Sequence, residues 1–151
     1  MENNLVYRGA TQELETLQPF IGIWRTEGEI IESNNNPAIP INGTDSYEWL
    51  PGGYFVMHKI DVIMGDQQVE AIEIIGYNPD TNQFTMNYFG YKGSTSVMFA
   101  TVHGKRWKFY SPTERFIGSF NEGNNVLEGI WEQNHNGHWS PWMNIKLTRQ
   151  W

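Results

Sequence analysis

The chain has 151 residues, a formal net charge of -7, only ten Lys and Arg, and no Cys. No basic run occurs, so no nucleic-acid or anionic-membrane partner is expected, since phosphate binding needs a concentrated cationic face. The absence of Cys excludes disulfides, thiolate catalysis and Cys-ligated metals. One domain is expected at this length, and an aromatic share of 15% fits a β-rich protein whose large side chains line a cavity or fill a barrel. With no apolar h-region at the start and no later apolar run of about 18 residues, a soluble cytoplasmic protein is expected.

In chain order, residues 1–10 read as a polar lead-in and 11–151 as a single domain. Residues 11–20 (TQELETLQPF) predict a helix, with Thr11 as N-cap, Leu14 and Leu17 on one face, and Pro19 ending it. Strand-like segments follow at 21–32, 43–50, 53–64, 69–78, 83–91, 95–103, 105–111, 114–121, 125–133 and 139–149. Between them lie turn residues such as Pro51-Gly52-Gly53, Lys92-Gly93-Ser94 and His135-Asn136-Gly137. About ten strands joined by short connections predict an up-and-down antiparallel sheet that closes into a barrel. Residues 33–42 form the longest irregular piece and read as a lid or mouth loop.

The segment YFVMHKIDVIMGDQQVEAIEIIGY, residues 54–77, is the strongest hairpin signal. A four-residue loop, Gly65 to Gln68, would set Met64 opposite Val69. Alternation then puts Phe55, Met57, Lys59, Asp61, Ile63, Glu70, Ile72 and Ile74 on one face, which the charges assign to water. The other face carries Tyr54, Val56, His58, Ile60, Val62, Ala71, Glu73, Ile75 and Tyr77. It is apolar except for His58 and Glu73, placed diagonally within side-chain reach. Such a pair either transfers protons as catalytic His58 and Glu73, contacts a polar head group, or braces the barrel as a satisfied polar pair.

The opening Phe20-Ile21-Gly22-Ile23-Trp24 with Gly28 resembles the Gly-x-Trp signature of the calycin superfamily, which includes lipocalin-like and nitrobindin-like barrels. Residues 47–53 (YEWLPGG), 75–79 (IGYNP) and the final strand ending at Arg149 resemble a bacterial calycin-type domain family of unknown function. The resemblance implies a calycin-like barrel with a cavity that binds a small molecule. It also implies a structural signature in which Gly22 and Trp24 lie at the barrel floor and a cation from the last strand, Arg149 ahead of Lys146, stacks on the indole. Haem is the sharper nitrobindin-like alternative. Thr26 replaces the middle glycine of that signature, and the final strand WMNIKLTR has no His, so both departures count against haem.

The expected ligand-binding wall is Tyr47, Trp49, Tyr54, Tyr77, Tyr88 and Trp107, with His58 and Glu73 as polar contacts for a small hydrophobic or aromatic molecule. An isomerase or cyclase using His58 and Glu73 is the alternative. Neither a metal nor a cofactor is expected, because His103, His135 and His138 read as turn residues without clustered partners. A homodimer is compatible with the indoles of Trp139-Ser140-Pro141-Trp142, which read as a mouth cap or a subunit contact. Phosphate-loop, dinucleotide and Gly-x-Ser-x-Gly motifs are absent.

Overall fold

The computed structural model describes residues 8–151. Helix α1, Arg8–Glu15, and a 3-10 turn, Gln18–Phe20, precede ten strands. These are β1 Gly22–Ile30, β2 Ile39–Trp49, β3 Val56–Met64, β4 Gln67–Asn78, β5 Gln83–Gly90, β6 Thr95–His103, β7 Arg106–Tyr110, β8 Glu114–Phe120, β9 Val126–His135 and β10 His138–Gln150. Each pairs antiparallel with its chain neighbour, and β10 returns to β1, so the sheet closes with no free edge. This is the closed up-and-down barrel that the turn spacing predicts.

Residues 1–7 of the expected lead-in lie outside the described residues, and residues 8–10 belong to α1. Thr11 therefore sits inside the helix instead of capping it, and α1 stops at Glu15, before Pro19. The amide of Leu17 bonds the Leu14 carbonyl at 3.0 Å, tightening the chain into the 3-10 turn that accommodates Pro19 in its first positions. Leu14, Leu17 and Phe20 are buried at 5%, 1% and 3% exposure and plug one end of the barrel.

The expected lid or mouth loop at 33–42 is shorter than its expected bounds. β2 begins at Ile39, and Ser33 and Asn36 exchange backbone hydrogen bonds of 3.0 and 2.9 Å in a tight turn. The β3–β4 hairpin turns in two residues rather than four, with Met64 opposite Gln67. Gly65, at φ 67°, supplies the left-handed conformation that a two-residue loop needs at its first position. The register moves by an even number of residues, so every side chain keeps its expected face while His58 comes directly opposite Glu73.

At the helix-plugged end Trp24 is fully buried, and its Nε1–H donates to the Phe20 carbonyl at 2.7 Å. The Arg149 guanidinium lies 4.2 Å from the Trp24 ring centroid. It donates to the carbonyls of Ile21 and Pro19, both at 2.6 Å, and of Asn124. One side chain of the last strand thus ties together the entry to β1 and the β8–β9 turn. Gly22 has φ 133°, and a Cβ there would stand 2.7 Å from Arg149 Nη1. The glycine of the Gly-x-Trp element is therefore required both by backbone conformation and by the space the guanidinium occupies.

Candidate functional site

The inward row that runs across the front of the barrel is built by register alone. Tyr47 on β2 faces His58 on β3, which faces Glu73 on β4, which faces Tyr88 on β5, which faces Ser96 on β6. Asp45 lies two residues before Tyr47 on the same face of β2, and Thr26 lies two after Trp24 on β1. Asp45, His58, Glu73 and Thr26 are all buried.

These groups are connected. His58 Nε2 lies 2.6 Å from Asp45 Oδ1, and His58 Nδ1 lies 3.0 Å from Glu73 Oε1. The Thr26 hydroxyl donates to Asp45 Oδ2. A neutral imidazole has one N–H and would turn a lone pair toward the other carboxylate, whereas the imidazolium donates to both. Burial pulls the His58 pKa down, but the hydrogen bonds to Asp45 and Glu73 and their attraction outweigh it, raising it from the ordinary 6.5 to about 9. His58 is thus the cation that lets two carboxylates sit inside an apolar barrel.

The Tyr47 ring stacks on the imidazolium with centroids 4.0 Å apart and planes 9° from parallel. Burial, then the nearby charges of Asp45 and Glu73, push the Tyr47 phenol well above its ordinary range, so it stays protonated. The same two causes, with Glu73 as the charge, raise Tyr88. Neither ring nitrogen of His58 remains for an incoming molecule. Glu73 Oε2, by contrast, makes no hydrogen bond among the described residues.

Above this cluster, toward the end that carries the β3–β4 and β7–β8 turns, the barrel encloses a cavity of about 370 Å³. Its walls include Val62, Met86, Met98, Phe116, Leu127 and Met143, with the Asp45–His58–Glu73 cluster at its deep end and Glu114 near the opposite turns. Burial raises the Glu114 carboxyl, although its hydrogen bond with Gln133 opposes the shift. The volume falls in the range that takes a small organic ligand.

Of the residues expected in the ligand wall, Tyr47, His58, Glu73 and Tyr88 line this cavity. Trp49, Tyr54, Tyr77 and Trp107 do not. They belong to the packed cluster at the plugged end, where Trp107 lies 4.9 Å from Phe20 edge to face and the Trp49 indole donates to Gln18 Oε1 at 2.9 Å. Strand alternation gave them the right face but no height along the barrel axis, and the plug fills their half. His103, His135 and His138 are exposed beside turns.

Several lining residues escaped sequence reasoning. Asp45 shares the alternation that points Tyr47 and Trp49 inward, so extending that pattern by one step finds it. Thr26, read only as a departure from a glycine signature, is the hydroxyl that holds Asp45. Trp142 is an extra residue in β10: the pairing jumps between Pro141 and Met143, so Trp142 and Met143 both line the cavity although adjacent in sequence. Trp139 instead lies under the Arg115 guanidinium, 4.3 Å from its ring centroid.

Fold and site together define a closed antiparallel β-barrel with a ligand-sized cavity and a buried charged cluster at its base. The chain belongs to the family described as protein of unknown function (DUF1579), whose family model matches residues 10–114. That span holds Thr26, Asp45, His58, Glu73 and Tyr88 and ends where β8 begins. No curated protein matches the chain. Among solved structures, a de novo designed fluorescence-activating β-barrel is similar, with a TM-score of 0.48 and 12% identity over 89% of this chain and 97% of that one. Among the described residues no helix is long and apolar enough to cross a membrane.

Proposed function

We propose that the protein binds a small, largely apolar molecule inside the barrel, with its polar end against the Asp45–His58–Glu73 cluster. The observation that carries this reading is the 370 Å³ cavity whose apolar walls converge on that cluster. A fold that needed only a core would fill this half as it fills the other. The barrel itself is of calycin type, a reading supported by the Gly22–Trp24–Arg149 arrangement at its floor.

Binding is favoured over proton transfer by His58, because both ring nitrogens are already held by carboxylates. A substrate would have to displace Asp45 or Glu73 to reach either one.

The test is a titration with prodan, a neutral solvatochromic naphthalene, together with native mass spectrometry of the purified protein. A saturable blue shift is expected in the wild type and its loss in Val62→Phe, which puts an aromatic ring into the cavity. No blue shift and no retained small molecule would overturn the proposal.

A further inference from the structure

We propose that the cavity selects apolar molecules with a protonated amine head, seated on Glu73, and rejects carboxylate amphiphiles. This rests on the reading of the barrel as a binding protein and names its ligand class.

The charges that line the cavity are unequal. Three carboxyl groups, Asp45, Glu73 and Glu114, face it, with one imidazole and no Lys or Arg. At the deep end a single imidazole, His58, stands between two carboxyl groups, so the cluster holds more acidic groups than basic ones. Both Asp45 oxygens are already engaged, Oδ1 by His58 and Oδ2 by Thr26. Glu73 commits Oε1 to His58 and keeps Oε2, on a residue only 6% exposed that lines the cavity.

That oxygen has no protein donor and is not sealed off, so it remains available to accept from a molecule in the cavity. An ammonium group supplies a charge of the right sign and N–H donors. Tyr88, directly across the ladder from Glu73, adds an aromatic ring beside the same position. A ligand carboxylate would find no free cation, and among the described residues the Trp142 indole N–H is the one buried side-chain donor without a partner. The one cation is covered on a face by Tyr47, and both of its N–H groups are spent on protein carboxylates. Like charge in a confined apolar space then acts as a rejecting element.

Three probes of one shape test this: 2-naphthylmethylamine, 2-naphthalenemethanol and 2-naphthoate, titrated near neutral pH by calorimetry. The amine is expected to bind about tenfold or more tighter than the carboxylate, with the alcohol between them. Glu73→Gln should bring the three within about threefold of one another. A protein of net charge -7 also attracts cations over its whole surface. The preference must therefore persist at about 0.5 M NaCl, where surface attraction is screened. That arm uses the wild type alone and decides the matter even where Glu73→Gln does not fold. A carboxylate that binds as tightly as the amine, or a preference that collapses in salt, would overturn the amine proposal. Failure of all three probes, the neutral alcohol included, would instead overturn the binding reading beneath it.

Discussion

The two halves of this barrel use the same strands to opposite ends. At the plugged end, Phe20 enters from the 3-10 turn and meets Trp107 and Phe120, each at 4.9 Å edge to face, and Tyr47 at 5.1 Å. Rigid rings interlock there around Trp24, and little space remains. In the other half the wall is methionine and aliphatic: Met64, Met86, Met98 and Met143, four of the chain's six methionines, line the cavity. Unbranched thioether side chains adapt to the shape of what they touch. One half is built to hold a single arrangement, and the other to accommodate a guest. The buried charges lie at the boundary between them.

Substitutions separate the halves, beginning with the plugged end. Trp24→Ala should cost about 3–5 kcal/mol of stability, measured by urea unfolding, because it empties a fully buried site and removes the platform for Arg149. At the boundary, stability should depend on pH through His58. Its pKa is raised in the folded state, so its contribution is complete below the unfolded value of 6.5 and disappears as pH rises through about 9. The loss should be on the order of 3 kcal/mol between pH 6 and pH 10, and His58→Gln should flatten this part of the profile. Gly22→Ala should cost about 1–3 kcal/mol, through the strained φ and the contact with Arg149. Within the cavity wall, Met98→Leu should change stability by less than about 1.5 kcal/mol while shifting probe affinity. A large loss for Met98→Leu would mean that the cavity half is packed as strictly as the plug, and the contrast would fail.

Much of this architecture was legible because period-two alternation and turn chemistry are local. The face of every residue from Val56 to Met64 survives even a wrong loop length, since a shift by an even number preserves parity. Height along the barrel axis is not local. Trp107 and Tyr88 read alike as inward aromatics, yet one packs against Phe20 and the other lines the cavity, and only α1 and its 3-10 turn decide which half is filled. The bulge at Trp142 breaks the period on which the reading depends. Asp45 was within reach, two positions before an inward Tyr47, but a charged residue in a strand is ordinarily assigned to solvent. Its burial depends on His58, thirteen residues later, and on Thr26, nineteen earlier.

The row from Tyr47 through His58, Glu73 and Tyr88 to Ser96 occupies consecutive strands β2–β6, with Thr26 just beyond it on β1. Across the lumen, β7–β10 present Phe109, Phe116, Leu127, Ile145 and Leu147. At the height of this row the circumference is thereby divided into a polar arc and an apolar one, with Glu114 of β8 lying farther up, beside the β7–β8 turn. Hydrophobic exchanges on the second arc can resize the guest without disturbing the proton-sharing cluster on the first. A barrel organised in this way can keep its head-group preference through many changes of ligand contour, which makes β7–β10 the natural place to redesign its specificity.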